Sequence, residues 1–186
     1  MWFGRWQNIQ NVCRTKTDKE ADGFPRGLCA AGWKPSALVF PSNLVYNFTV
    51  MKEYVVFDLE WNQNPYGKEL PGAHLTFEII EIGAVKLNEN MEVISTFSQL
   101  VRPQVYRELH YKISQVTHMT MDELMEKGRP FQEVMADFEE WCGEAAVYCT
   151  WGPMDLTELE KNLAYFGMEN PFPNPLLYYD IQKLYG

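Results

Sequence analysis

The chain of 186 residues has the length of one ordinary domain with room for an appendage. Its residues are 46% hydrophobic and 15% aromatic, which suffices for a packed core and excludes a wholly disordered chain. No stretch approaches the roughly 18 consecutive apolar residues that indicate a membrane-spanning helix. The formal net charge of −9 argues against a basic surface that coats DNA.

The charge is unevenly distributed along the chain. Residues 1–50 contain six basic and three acidic residues, so residues 51–186 contain 10 basic and 22 acidic residues, a balance of −12. A nucleic-acid partner would therefore need bound cations or a local basic groove. The four cysteines form no CxxC pair and no cluster with histidine, so neither a zinc site nor a disulfide framework is expected. A reducing cytoplasm suits this cysteine pattern best.

Residues 1–50 differ in pattern from the rest of the chain. They mix Gly, Pro, Trp and Asn without a sustained strand or helix period, and they lack the ordered parts of a secretory signal. Met51 stands directly before the first strand pattern. We predict that residues 1–50 are a disordered or mis-called extension, and that the domain begins at Met51 and occupies residues 51–186. Detection of a peptide from residues 1–50 in the native protein by mass spectrometry would contradict this.

The first strand pattern, residues 54–62, carries two carboxylates at its end. Side chains alternate along a strand, so Asp58 and Glu60 share one face, while Phe57 and Leu59 share the other. Two like charges beside a buried strand are costly unless a cation lies between them. Hard cations such as Mg²⁺ prefer oxygen ligands. The pattern alone leaves two interpretations open, a metal site and a solvated acidic turn.

The segments that follow predict a meander and then helices. Residues 77–87 and 92–101 have strand patterns, and residues 88–90 form a turn between them. Because the connections are short, the three strands are predicted to form an antiparallel meander. Thr120 and Glu123 fit a capping box at the start of a short helix, which Gly128 closes. Apolar residues at helical spacing then predict a strongly amphipathic helix, namely Phe131, Val134, Met135, Phe138, Trp141 and Cys142.

The C-terminal third alternates strand and helix. Residues 145–150 predict a fourth strand, parallel to the first because a helix leads into it. A helix with Gly167 as its C-cap follows, and then a short apolar run at 176–179. The predicted order is β-β-β-α-α-β-α-β, an α/β fold with a mixed sheet of three antiparallel strands followed by helix-connected parallel strands.

Asp155 lies in the first turn of the helix after strand four. Acidic residues are favoured there by the helix dipole alone, so a purely structural interpretation is open. If strand four is parallel to strand one, however, both strands end at the same edge of the sheet. Asp155 would then approach Asp58 and Glu60, and the three carboxylates would form a two-cation site.

Five segments taken in order resemble one known family. The sequence is similar to the DEDD 3′–5′ exonucleases of the ribonuclease H-like fold, and closest to their Eri-type and KapD-like members, from about residue 53 to the end. The matching segments are Phe57-Asp58-Leu59-Glu60, residues 77–85, residues 115–120, Thr150-Trp151-Gly152 followed by Asp155, and Tyr179-Asp180-Ile181.

The resemblance implies a site and a reaction. Two Mg²⁺ or Mn²⁺ ions about 4 Å apart would clamp the scissile phosphate of RNA or single-stranded DNA. Asp58 would bridge both ions, Glu60 would bind the ion that holds the attacking water, and Asp155 would serve the second ion. Backbone groups around Leu59 would touch the terminal nucleotide. The product would be a 5′-nucleotide released from the 3′ end.

Two departures from the family pattern bear on activity. Trp61-Asn62 follows the first motif where the family usually has Thr, as in the KapD-like branch. The third motif, a general-base His or Tyr and a fourth Asp on a final helix, is missing after Asp180. His74, His110 and His118 are interpreted as surface or capping residues rather than as the base.

These departures leave two functions of different classes open. The chain is expected to be a weak or inactive fragment of a metal-dependent exonuclease, incomplete at its C-terminus and without the final helix. The alternative is an inactive exonuclease-fold interaction protein that acts as an inhibitor or adaptor.

Overall fold

The computed structural model describes residues 53–65, 75–143, 146–172 and 178–185. These residues form a five-stranded sheet and five helices. The strands are β1 (Glu53–Gln63), β2 (Phe77–Leu87), β3 (Val93–Leu100), β4 (Ala146–Thr150) and β5 (Tyr178–Asp180). The helices are α1 (Tyr111–Thr117), α2 (Met121–Lys127), α3 (Phe131–Cys142), α4 (Met154–Tyr165) and α5 (Ile181–Tyr185). The predictions for residues 1–50 concern a segment outside the described residues.

The sheet has the order β3-β2-β1-β4-β5. β1 is antiparallel to β2, and β2 is antiparallel to β3, as short connections require. β4 is parallel to β1, and β5 is parallel to β4, because a helical crossover precedes each of them in the chain. The α/β class and the mixed sheet are therefore confirmed. No helix among these residues is long and apolar enough to cross a membrane.

The hydrophobic core lies against one face of β1. Val55, Phe57 and Leu59 are buried on that face, as strand alternation predicts. Apolar side chains of α3 and α4 cover them, and the rings of Phe57 and Phe138 meet edge to face with centroids 5.8 Å apart. The opposite face of β1 carries Asp58 and Glu60, which are only partly buried. Core packing thus fixes which way the two carboxylates point.

A bulge in β2 lies beside these carboxylates. Glu60 pairs with Glu81, but the next residue, Trp61, pairs with Ile79, so Ile80 is the extra residue. Asn162 of α4 supplies hydrogen bonds to the backbone there. Its Oδ1 accepts from the amide of Ile79 at 3.1 Å, and its Nδ2 donates to a β2 carbonyl at 2.9 Å. The helix that carries Asp155 is thereby attached to the sheet.

Of the two hydrogen bonds predicted for the capping box of α2, the structure contains one. The hydroxyl of Thr120 accepts a hydrogen bond from the amide of Glu123 at 3.2 Å, which confirms the N-cap. The carboxylate of Glu123, however, pairs with Lys127 at 2.8 Å instead of reaching back to the capping residue. An i,i+4 pair competes with the return bond of a capping box, and here it prevails. Gly128 ends the helix as predicted.

Two helices are absent from the predicted order. α1 and α5 are only seven and five residues long. Thr117 is the one buried residue of α1, so the helix has no apolar stripe for a sequence pattern to detect. α5 directly follows β5, so a short helix stands where none was expected. At the end of α4, Phe166 is the C-cap, and Gly167 lies one residue beyond it with a φ of +66°.

Gly128→Ala is predicted to destabilise the fold by about 2–4 kcal/mol. A Cβ at Gly128 would lie 2.3 Å from the carbonyl oxygen of Leu124 and 2.7 Å from the amide nitrogen of Arg102. Both atoms belong to backbone that is fixed by hydrogen bonds of its own, so neither can move cheaply. Urea unfolding measures the loss.

The matched control is Gly167→Ala, just beyond the end of α4. Nothing lies within 4 Å of a Cβ there, and the amide of Met168 donates to the carbonyl of Leu163, as at a helix end that is closed by a left-handed residue. The φ of +66° therefore adds only left-handed strain of about 1 kcal/mol. Equal losses for the two variants would contradict the clash at Gly128.

Candidate active site

The site begins with two carboxylates in the second half of β1. Asp58 and Glu60 are both partly buried, and their partners across the antiparallel ladder are Gly83 and Glu81. Gly83 contributes no side chain opposite Asp58. Glu81, in contrast, places a further carboxylate opposite Glu60, where cross-strand side chains lie only about 5 Å apart.

Asp155 joins this group from α4. Its side chain is 4% exposed, and its Oδ1 accepts a hydrogen bond from the amide of Leu59 at 3.1 Å. Leu59 stands between Asp58 and Glu60 in the chain, so this one bond fixes the carboxylate of Asp155 beside them. The structure thus places Asp155 within electrostatic reach of Asp58 and Glu60, the acidic residues that the sequence pattern selected with it. The amide of Leu59 is engaged by Asp155, and its side chain is buried in the core.

The proximity of the carboxylates has an electrostatic consequence. The pKa of Asp155 is raised from 3.8 to about 7, first by burial and then by the charge of Asp58. The hydrogen bond from Leu59 opposes this rise, and the charge of Glu60 adds to it. A helix N-terminus alone would favour the ionised form, so the surroundings of Asp155 outweigh the dipole. Such a carboxylate gains most from a nearby cation.

Glu81 is an acidic neighbour that sequence reasoning missed. Its pKa is raised by burial and by the charges of Asp58 and Glu123, although a hydrogen bond from Ser98 lowers it. The Oγ of Ser98 lies 3.2 Å from a carboxylate oxygen of Glu81. The signal was present in the sequence, because an acidic residue inside an apolar strand run needs a specific partner.

The turn between β4 and α4 is fixed by polar contacts. The hydroxyl of Thr150 donates to the carbonyl of Gly152 at 2.7 Å. The backbone of Gly152 in turn donates to Asp180 at the end of β5. Burial alone would raise the pKa of Asp180, but hydrogen bonds from Lys183 and Gly152 lower it overall. The first turn of α4, which holds Asp155, is therefore tied to two strands.

The two histidines among the described residues lie at the ends of α1. His110 is the N-cap of α1, where its Nδ1 accepts from the amide of Lys112 at 3.3 Å. His118 is exposed and forms the C-cap of the same helix with a φ of +57°. The expected capping roles of these two residues are confirmed. His74 lies outside the described residues.

The donor set suits a hard divalent cation. Asp58, Glu60 and Asp155 offer only carboxylate oxygens, and their mutual repulsion is relieved by positive charge. Within the part of the chain that the structure describes, no three His, Cys, Asp or Glu side chains are already drawn together as a metal cluster. The three residues nevertheless offer the oxygen ligands that such an ion prefers, so they fit it chemically.

Solved structures share this fold. The nuclease domain of 3′hExo, a DEDDh family member bound to rAMP, superposes with a TM-score of 0.61 at 23% identity, covering 74% of this chain and 70% of that one. E. coli Exonuclease I in complex with a dT13 oligonucleotide superposes with a TM-score of 0.51 at 14% identity, covering 65% of this chain and 25% of that one. The architecture is that of the ribonuclease H-like exonucleases.

Sequence comparison defines the family. Residues 55–183 match the RNase T exonuclease family, and the chain belongs to this family. The DNA polymerase III PolC-type of Staphylococcus aureus (strain bovine RF122 / ET3-1) is 35% identical over 94 residues, which are 50% of this chain and 6% of the polymerase. The corresponding polymerase of Staphylococcus epidermidis matches to the same extent. The chain therefore spans a small part of these relatives, and the resemblance to DEDD-type exonucleases is confirmed.

Asp155→Asn is predicted to stabilise the metal-free protein at pH 8 by about 2–4 kcal/mol. The folded pKa of Asp155 lies above its unfolded value, so the protonated form stabilises the fold. That contribution is complete below about pH 4 and is lost as the pH rises through about 7. Asn keeps an oxygen for the amide of Leu59 and never ionises. Urea unfolding in a chelator, from pH 4 to pH 8, measures the difference.

The matched control for this experiment is Asp122→Asn, at an exposed position in the first turn of α2. It tests the loss of a carboxylate near a helix N-terminus without burial. A gain for Asp155→Asn that does not depend on pH would contradict the raised pKa.

Proposed function

We propose that the chain hydrolyses single-stranded RNA or DNA from the 3′ end and releases 5′-nucleotides. The observation that supports the proposal is the bond between Asp155 and the amide of Leu59, which places Asp155 beside the segment of β1 that carries Asp58 and Glu60. Membership of an exonuclease family gives the reaction class, phosphodiester hydrolysis. The acidic balance of residues 51–186 agrees with a substrate bound through cations rather than through a basic surface.

Asp58, Glu60 and Asp155 would hold two Mg²⁺ or Mn²⁺ ions. Bound ions would activate a water and stabilise charge on the phosphate. The protein's own contribution is to keep three partly or fully buried carboxylates at fixed positions on two rigid elements, β1 and α4. Asp155 is expected to lose its proton when the cations bind, since positive charge favours the ionised form.

The direction and the substrate are inferred from relatives. 3′hExo was solved with rAMP, another 3′-exonuclease structure concerns the 3′ end of a histone mRNA stem-loop, and Exonuclease I was solved with an oligonucleotide. These ligands agree with a site that takes the 3′-terminal nucleotide of a single strand. The contact of Leu59 with that nucleotide stays a prediction, as does weak turnover by residues 1–186.

The setting proposed for this reaction is the cytoplasm. Cys142 and Cys149 are both buried thiols in the described part of the chain. The pKa of Cys142 is raised to about 12 by burial, so this thiol stays protonated and unreactive at neutral pH. A buried, protonated thiol of this kind suits a reducing compartment.

Asp58→Asn is predicted to lower nucleotide release by at least about a hundredfold, because the residue would lose a ligand charge for both ions. Oligonucleotides labelled at the 3′ end, one of RNA and one of DNA, are incubated with Mg²⁺ or Mn²⁺, and labelled mononucleotide is measured over time. A chelator is expected to abolish release by the wild-type chain. The faster of the two oligonucleotides identifies the preferred sugar.

Asp122→Asn serves again as the control, since its exposed carboxylate lies outside the group of three, and wild-type turnover is expected. Release that persists in Asp58→Asn would contradict the assignment of the site. Binding of oligonucleotide without any release by the wild-type chain would favour an interaction protein over an enzyme.

A further inference from the structure

Two buried polar side chains face each other just beyond the carboxylates. Asn62 of β1 and Glu78 of β2 are cross-strand partners, and they are 0% and 1% exposed. Asn62 lies two residues after Glu60, so strand alternation places it on the face that carries Asp58 and Glu60. Polar groups this deeply buried require hydrogen-bond partners.

Both side chains bind the segment between β3 and α1. Glu78 accepts hydrogen bonds from three consecutive amides, those of Gln104 at 2.5 Å, Val105 at 2.8 Å and Tyr106 at 3.0 Å. Asn62 donates to the carbonyl of Glu108 at 2.9 Å and accepts from the amide of His110 at 2.9 Å. Five hydrogen bonds from one pair of side chains thus hold residues 104–110, which we call the anchored segment.

The anchored segment determines where α1 lies. Its last residue, His110, is the N-cap of α1, and α1 lies beside β1. Thr117 is the only buried residue of this helix. Hydrophobic packing therefore contributes little to its position, and the polar contacts of Asn62 and Glu78 replace it.

The helix held in this way lies beside β1 and exposes apolar side chains. Tyr111 is 60% exposed and Val116 is 56% exposed. The ring of Tyr111 lies against that of His110, with centroids 4.8 Å apart, which restricts its motion. Nucleobases of any type can stack on an exposed aromatic ring, so such a contact does not depend on the nucleic-acid sequence.

A gain in folding stability does not explain why Asn62 and Glu78 are polar. Burial raises the pKa of Glu78, although the three backbone amides oppose the rise. A buried carboxylate is costly to desolvate, and apolar residues of similar size commonly serve stability as well or better. Two apolar side chains, however, could not form hydrogen bonds with the backbone of the anchored segment. The contribution of Asn62 and Glu78 is therefore mainly geometric.

We propose that Asn62 and Glu78 are positioning residues that hold α1 as one wall of the cleft for the 3′-terminal nucleotide. This inference rests on the proposed function, because it assumes that a nucleic-acid end enters beside Asp58 and Glu60. Neither residue belongs to the three carboxylates that are proposed to hold the ions. Their loss is expected to displace α1 and weaken binding of the nucleic acid while the carboxylate group keeps its affinity for cations.

The test separates nucleic-acid binding from cation binding. A 5′-fluorescein-labelled single-stranded oligonucleotide is titrated in Ca²⁺, which replaces Mg²⁺ so that binding is measured without turnover, and the readout is anisotropy. Asn62→Ala is expected to weaken binding about tenfold. Calorimetric titration with Mn²⁺ alone is expected to give the wild-type affinity, and hydrogen exchange at the amides of residues 104–110 is expected to accelerate.

Two further variants make the result decisive. Asn88→Ala is the matched control, since Asn88 also ties a loop through hydrogen bonds, at the opposite end of β2, and wild-type binding is expected. Glu78→Gln keeps the shape of the side chain but turns a donor toward one of the three amides, so a smaller loss than that of Asn62→Ala is expected. This variant also carries the test if Asn62→Ala does not fold.

Each remaining outcome overturns a specific claim. Wild-type oligonucleotide affinity in both Asn62→Ala and Glu78→Gln would overturn the positioning role and leave the proposed function intact. An equal loss of Mn²⁺ and oligonucleotide affinity would show a general structural role instead. A wild-type chain that binds Mn²⁺ but no oligonucleotide would overturn the proposed function, and this inference with it.

Discussion

The hydrogen bond from the amide of Leu59 to Asp155 is the contact on which the site depends. It joins β1, which begins the described fold, to α4, which lies 96 residues further along the chain. Because a backbone amide of a central strand has little freedom, the carboxylate that it holds is equally fixed. The same contact places Asp155 where burial, and then the charges of Asp58 and Glu60, raise its pKa to about 7. Position and electrostatics of the acidic group thus have one origin.

The parts of the structure that follow from short-range periodicity were predictable. Alternation along β1 assigned Phe57 and Leu59 to the core and the two acidic residues to the opposite face. A helix before β4 made that strand parallel to β1, and this relation placed Asp155, at the start of α4, beside the second half of β1. Each of these inferences needs only the handedness and period of the backbone. The fold class and the group of three carboxylates could therefore be derived without coordinates.

The parts that depend on polar contacts between distant residues were not predictable. Glu78 contacts amides 26 to 28 residues away, and no repeat in the sequence marks that distance. α1 lacks an apolar stripe, since it is held by the anchored segment rather than by the core. The predicted hydrogen bond from the backbone amide of Thr120 to the side chain of Glu123 was wrong, because Lys127 pairs with the carboxylate of Glu123 instead. Sequence patterns detect burial of apolar surface, and they miss elements that are placed by buried hydrogen bonds.

The bulge at Ile80 determines on which face of the sheet the acidic residues of β2 lie. Glu78 and Glu81 are three positions apart, so regular alternation would send their side chains to opposite faces. The single extra residue restores the phase, and both carboxylates face the same side, one opposite Asn62 and the other opposite Glu60. Glu78, before the bulge, holds the anchored segment, and Glu81, after it, faces Glu60. A deletion of one residue at this point would reverse one of these faces while leaving the composition of the strand almost unchanged.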